Sequence, residues 1–417
     1  MLFLKQPNTN QILYKQMLKS TGSLSNLFSE SAAPFLVSRN TENVFCEALG
    51  AENLGRSDCS ADAALDNVGV GIKTFLHGNG KTLQKVAEFN KDSELYRTYS
   101  PKELVVKIAE LRNERIEFTK RTYGLNSIIY HCVTRKPGKI LLFEMPMDLI
   151  QINSISNIKA SHNGNTITFE DGLNQYSFNV TKSTLYKRFF TPESSVLAVI
   201  DVKIYDQPYK LLMKLEELIE QLQESSEYSN ASVDLIINDP PENPSTISAP
   251  IFLDDIQKIK EDFTTEDYVI LPLFSDRGAQ RHVPEKSGLN QWNAAGRPRN
   301  PNEVYISIPS WIHKDFKGFF PPRDLDFQLR LPDKSRMSAK VCQENSKALM
   351  SNPNSRLGEW LLRQVMDLEE KELLTYDRLM TLGIDSVIVF KHSEREFSID
   401  FRELGTYDLF ENENKTK

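Results

Sequence analysis

The stretch Asp62-Ala-Ala-Leu-Asp66-Asn-Val-Gly-Val-Gly-Ile-Lys73-Thr-Phe75 decides how the first half of the chain is read. Val68, Val70 and Ile72 alternate with small or polar residues, the period-two signature of a half-buried strand. Asp62 and Asp66 precede that strand, and Lys73 emerges near its end beside Thr74. Hydrolysis of a phosphodiester needs such a supply, carboxylates to hold a divalent cation and an ammonium to orient the attacking water. Gly69 and Gly71 leave room for another backbone or a phosphate to come close.

The 417 residues exceed one ordinary domain and predict two or three. A hydrophobic content of 40% and a charged content of 26% are those of a soluble globular protein. No apolar run is long enough to span a bilayer. The N-terminal Met-Leu-Phe-Leu-Lys-Gln-Pro has no basic segment followed by a long apolar core, so no secretory signal is read and a cytoplasmic location is expected. Cys46, Cys59, Cys132 and Cys342 show no metal-ligand spacing and read as reduced thiols. The net charge of −7 does not exclude an anionic partner, because binding depends on where the positive charge lies. Much of the negative excess sits in acidic helical segments at 214–224 and 366–372.

Helical patterns are expected over 8–30, from Arg39 onward with Thr41 as N-cap, over 84–90 carrying Glu88, and over 101–122 after Ser100-Pro-Lys-Glu. Hairpins are expected at 127–145, turning through Arg135-Lys-Pro-Gly138, and at 165–180, turning at Asp171-Gly172. His131 reads as a core histidine. Lys182, Ser183, Lys187 and Arg188, with Tyr186 interleaved, read either as a phosphate-contacting segment or as an exposed basic helix turn. A strand at 196–203 and a helix at 208–224 close an α/β (α+β) domain over 1–225. A Ser-, Asn- and Pro-rich linker covers 226–256, and a second domain covers 257–417.

In that second domain, strand-like segments at 268–274, 303–309, 326–331, 337–342, 386–390 and 396–401 predict a mostly β barrel or sandwich. Helical pattern is confined to about 355–382. One loop gathers Asn290, Gln291, Trp292, Asn293, Arg297, Arg299, Asn300 and Asn302; another gathers Gln343, Asn345, Lys347, Asn352, Asn354 and Arg356. Arginine and lysine read guanine, and asparagine and glutamine read adenine, in the major groove. Two such arms on a rigid β scaffold would embrace duplex DNA; the alternative is ordinary polar loops.

Gly69-Val-Gly-Ile-Lys-Thr-Phe75 resembles the Gly-Val-Glu-Leu-Lys-Thr strand of MutH-type nucleases of the PD-(D/E)XK superfamily, with Asp66 at the family's aspartate. The family's glutamate is Gly71 here, which places the second carboxylate elsewhere. The resemblance implies Mg²⁺ held by Asp66 and Glu88 with Asp62, a contribution from Glu42 or Glu47 on the preceding helix, and Lys73 as the positioning cation. In the second domain, Ser287-Gly-Leu-Asn-Gln-Trp-Asn293, Asn300-Pro-Asn-Glu-Val-Tyr-Ile-Ser-Ile-Pro309, Gly318-Phe-Phe-Pro-Pro322, Gln343-Glu-Asn-Ser-Lys347, Leu357-Gly-Glu-Trp360 and Phe397-Ser-Ile-Asp-Phe401 resemble the C-terminal domain of NgoFVII-type restriction endonucleases. That resemblance implies a B3-like pseudobarrel reading DNA with two arms. The phospholipase-D-like nuclease of those enzymes needs His-x-Lys motifs, and no histidine here has a lysine two residues later. Together these features imply a type II restriction endonuclease cutting double-stranded DNA as a homodimer, with a cognate DNA methyltransferase in the same restriction-modification system. A DNA-binding regulator without catalysis and a MutH-like nicking repair enzyme are the alternatives.

Overall fold

The computed structural model describes residues 1–55, 59–78, 81–89, 96, 98–226, 267–278 and 280–415, without the side chains of 81 and 220–226. The expected linker lies outside the described residues. The chain opens with helices α1 (Leu2–Lys5), α2 (Asn8–Ser23) and α3 (Ser38–Leu49). Strands β1 (Glu52–Asn53), β2 (Ala63–Leu65), β3 (Val68–Leu76) and β4 (Lys81–Glu88) lead into helix α4 (Pro101–Tyr123). Seven strands follow: β5 (Ser127–Lys136), β6 (Lys139–Pro146), β7 (Ser156–Ala160), β8 (Thr166–Glu170), β9 (Gln175–Asn179), β10 (Thr184–Phe190) and β11 (Ala198–Asp201). Helix α5 (Pro208–Ser226) ends this half.

These strands form a six-stranded sheet in the order β1-β2-β3-β5-β6-β11 and a five-stranded sheet in the order β4-β10-β9-β8-β7. Strand β3 alternates as its sequence requires. Val70 and Ile72 are buried with Tyr14, Phe45 and Leu49 of α2 and α3, while Phe75 joins the cluster of Tyr130, Phe143 and Phe189 on the other face. β3 and β5 are parallel, so a crossover must join them, and α4 supplies it. The start of α4 is fixed by a capping box between Ser100 and Glu103, with Pro101 in the first turn. As read from the sequence, His131 is a core residue, fully buried with Nε2 3.1 Å from the Tyr14 hydroxyl and Nδ1 3.3 Å from Glu144 Oε1.

Three expectations need correction. The helix at 8–30 stops at Ser23, followed by a short 3₁₀ turn over Ser25–Leu27. Helix α3 has Val37 at its N-cap, and the Thr41 hydroxyl donates back to the Val37 carbonyl instead. The segment expected as a helix around Glu88 is strand β4, paired antiparallel with β10 from Lys81↔Phe190 to Glu88↔Thr184. The three-residue spacing of Val86 and Phe89 is helical in period, and cross-strand pairing with β10 overrides it.

The second half is a seven-stranded sheet. Its strands are β12 (Asp267–Pro272), β13 (Ile306–Ser307), β14 (Phe327–Arg330), β15 (Arg336–Cys342), β16 (Ala348–Ser351), β17 (Ile384–Lys391) and β18 (Glu396–Glu403). Their order is β12-β17-β18-β14-β15-β16-β13, and the end strands β12 and β13 approach one another, which nearly closes a barrel. All pairs are antiparallel except β14 with β18. Strand β16 was not expected. Its four residues are all buried and interrupt the loop read at 343–356.

Lys187 is buried to 2% exposure on β10, with its Nζ 5.5 Å from the Tyr130 ring and 5.9 Å from the Phe189 ring. Burial, followed by the nearby Arg112 charge, pulls its ammonium down to about 8. The unfolded chain keeps that proton to about 10.5, so the burden on stability is full below about 8 and fades as pH rises toward 10.5. Lys187→Met should therefore be more stable than the wild type near neutral pH, by on the order of 2–3 kcal/mol. Urea unfolding should show that advantage shrinking through the alkaline window; a constant or absent advantage would contradict the burial.

Candidate active site and nucleic-acid interface

Two carboxylates come near Lys73 of β3, Asp62 from the start of the β2 pairing and Glu42 from helix α3. Asp62 continues the β2 pairing: its N–H donates to Val70 O at 2.9 Å, and its Oδ2 accepts the Ile72 N–H at 2.6 Å. Lys73 Nζ lies 4.0 Å from the same Oδ2, and both side chains remain partly open to solvent. Glu42, in the first half of α3, faces the pair. Arg39 Nη1 sits 3.2 Å from Glu42 Oε2 and also donates to Gly55 O at 2.9 Å, which pins the helix to the loop before Asp62. Burial pushes the Glu42 carboxyl up, the Asp62 charge adds to the rise, and Arg39 and Lys73 oppose it. Arg39 was not singled out in the sequence; its position one helical turn before Glu42 is the signal that could have found it.

The remaining expected ligands lie elsewhere. Asp66 occupies the β2–β3 turn with φ of 53° and accepts a hydrogen bond from Gln6 Nε2 at 3.0 Å. It lies seven positions before Lys73, roughly 20 Å along an extended strand, too far to share a metal ion. Glu88 stands on β4 of the second sheet, 2.8 Å from Lys85 Nζ. Glu47 is exposed on α3. At position 71, where the resembling nucleases carry glutamate, a side chain would meet Met147 Cε at 2.6 Å and the Tyr130 ring at 3.3 Å. Met147 and Tyr130 fill the space of the missing carboxylate. Among the described residues no group of three or more His, Cys, Asp or Glu side chains is arranged to hold a metal ion. Glu42 and Asp62 still suit Mg²⁺, which takes one or two carboxylates and completes its octahedron with water and phosphate oxygens.

The basic segment around β10 divides. Lys182 is exposed and Arg188 half-buried, whereas Ser183 and Lys187 are buried and face the interior. From Thr184 on it is strand β10, so Lys187 turns inward and Arg188 outward, while Lys182 and Ser183 lie in the turn before it.

The barrel loops sort by register. Cys342 pairs with Ala348 and Ala339 with Ser351, so the turn with Gln343, Asn345 and Lys347 closes one end of β15 and β16, and Asn352, Asn354 and Arg356 lie at the other. Ile306 pairs with Leu349, which puts the 288–305 connection at that second end. Arg363 Nε donates to Asn302 Oδ1 at 2.9 Å there, and Gly358 packs against the Asn302 backbone too closely for any side chain. The two polar clusters are thus separated by β16, four residues and roughly 13 Å long, close to the ~12 Å width of the major groove.

Several of these polar side chains build the loops. Asn290 is fully buried; its Nδ2 donates to Leu374 O at 2.9 Å and its Oδ1 accepts the Leu374 N–H at 3.0 Å. Asn293 donates to Glu285 O, and Asn352 to Asp326 Oδ2. Buried Glu303 holds Arg297 at 2.5 Å and Arg299 at 3.6 Å. Asn300 Oδ1 accepts the Asn302 N–H. Gln291 Oε1 and Trp292 Nε1 are buried without a hydrogen-bond partner. Gln343 and Asn345 adopt left-handed backbone with φ of 65° and 57°; Asn345, Lys347, Asn354 and Arg356 are exposed.

Residues 268–393 match the family model of the NgoFVII C-terminal B3-like DNA-binding domain. No curated protein sequence matches the chain. No helix among the described residues is long and apolar enough to cross a membrane.

The occupancy of position 71 is testable. Gly71→Glu should lower stability by about 1–3 kcal/mol through overpacking, and Met147→Ala in the same chain should recover part of the loss. Thermal melts of the single and double variants check this; equal melting of Gly71→Glu and wild type would contradict the packing.

Proposed function

We propose that the chain is a type II restriction endonuclease in which the 268–393 barrel selects the sequence and the Glu42–Asp62–Lys73 cluster cuts the duplex. The observation that carries this reading is the meeting of Asp62 and Lys73 on one strand system with Glu42 of α3 beside them, in the same chain as a region matching a restriction-enzyme DNA-binding family. Asp62 and Glu42 are the residues that would hold Mg²⁺, which when bound supplies an acidified water and neutralises charge on the phosphate. Lys73 has its own part. Its ammonium, beside Asp62, orients the attacking water and offsets the charge that grows on the phosphate oxygens. Arg39 holds Glu42 in place through the same guanidinium that grips Gly55.

Cleavage of both strands calls for two such sites, so a homodimer forms on DNA, and a cognate methyltransferase protects the host sequence. The closed position 71 favours a second reading, a regulator that binds DNA without cutting it.

Digestion of a phage genome with and without Mg²⁺ decides between them. Wild type and Glu88→Gln should give discrete bands only with Mg²⁺, and Lys73→Ala and Asp62→Asn should lose at least about 100-fold of that activity. Intact DNA with a specific gel shift would establish the regulator. Nicked circles from plasmid would establish the nicking enzyme. Bands from Lys73→Ala equal to wild type would move the cutting site elsewhere.

A further inference from the structure

The two halves of the chain enclose a groove of about 440 Å³. One wall is Glu52, Asn53 and Leu54 of the first half; the other is the outward face of the barrel at β14, β15 and β18. Four side-chain cations, Arg330, Lys334, Arg336 and Arg402, line it against the carboxylates of Glu52 and Asp400. On a chain of net charge −7 this is a local inversion of sign.

The cations are arranged at a cost. Arg330 and Arg336 are direct cross-strand partners, which places two like charges side by side, an unfavourable pairing on any sheet. Glu396 relieves Arg336 only at 3.6 Å and in solvent. Arg330 is exposed and has no side-chain partner among the described residues. Arg402 donates to the carbonyl of its own neighbour, Phe401, at 3.0 Å. Lys334 has Glu52 at 3.0 Å, which leaves Arg330 and Arg402 without a carboxylate ion pair among the described residues. A nucleic-acid backbone supplies an anion at regular intervals and takes arginine forks bidentately.

The far wall leads to the proposed cutting site. Asn53 pairs with Ala63, and the Leu54 N–H donates to Asp62 O at 3.0 Å. This wall is thus one strand spacing, about 4.8 Å, from the backbone of Asp62.

We propose that this groove binds the phosphate backbone of duplex DNA, independently of the base-reading loops at the barrel ends, and feeds the bound strand to the Asp62–Lys73 cluster. Only the last step rests on the nuclease reading.

The test is binding without cleavage. Fluorescence anisotropy with a labelled random-sequence duplex in EDTA, over a series of KCl concentrations, compares wild type with Arg330→Ala/Arg336→Ala. Both positions are exposed, and removing two adjacent like charges leaves the fold intact, which a thermal melt verifies. The salt slope of log K should fall by about 2 and affinity by roughly tenfold at low salt. Lys19→Ala/Lys159→Ala, removing exposed cations elsewhere, should leave both unchanged. An unchanged slope in the arginine variant overturns the proposal, and so does wild type that fails to bind duplex. Loss of poly-glutamate binding with DNA binding unaltered would also overturn it, reassigning the groove to an acidic protein. Wild type that binds but never cuts removes the nuclease reading and leaves the groove standing.

Discussion

Helix α4 belongs to three apolar cores at once, and the arrangement of every candidate site depends on it. Leu104, Val105, Ile108 and Leu111 pack under the five-stranded sheet, and Ile116 packs between the sheets with Tyr130 and Phe189. Phe118 enters the core of the barrel, edge-on to Phe401 at 5.4 Å between centroids. Burying aromatic and aliphatic surface of one rigid rod in separate clusters couples their positions, since packed interiors deform little. Polar contacts add direction. Glu114 Oε1 accepts from Arg121 of the same helix at 2.8 Å and from Arg378 of the barrel at 2.9 Å, and the Tyr123 hydroxyl donates to Asp400 at 2.9 Å. The same helix is the crossover that makes β3 parallel to β5. The rod that sets the Lys73 strand in its sheet therefore also sets the barrel against it.

That coupling gives the electrostatics their meaning. The net charge is negative, yet positive side chains concentrate where the halves face each other and at the barrel ends. Two carboxylates lie near one lysine, with Glu42 pushed up by burial and by the Asp62 charge, as the complementary concentration of negative charge.

Much of this architecture is legible in the sequence, and the failures have physical causes. The alternation at Val68–Ile72 fixed the strand and its faces, Ser100-Pro-Lys-Glu fixed the start of α4, and Asp171-Gly172 fixed a hairpin, because each signal is local. Glu88 is read onto a helix because the Val86–Phe89 spacing is helical in period, and only pairing with β10 makes the segment a strand. Asp66 attracted the metal reading by proximity in sequence to the strand, but the turn sends it away from Lys73, while Asp62 comes back through β2 pairing. Position 71 could be seen to lack a carboxylate; that Met147 fills its space, from 76 residues along the chain, could not. In the barrel the polar loops were found as composition, whereas β16, short and fully buried, gives no alternation to read. Asn290, Arg297 and Arg299 carry the residue types that read bases, yet their partners, Leu374 and Glu303, commit them to holding the loop.

The central claim is that one chain joins sequence selection to cutting through a fixed helix. Sequencing the ends of DNA fragments produced by the wild-type protein with Mg²⁺ tests it most directly. A rigid coupling predicts that all ends fall at one constant offset from a single short motif. Ends scattered without a shared motif, or at widely varying distances from one, would contradict it.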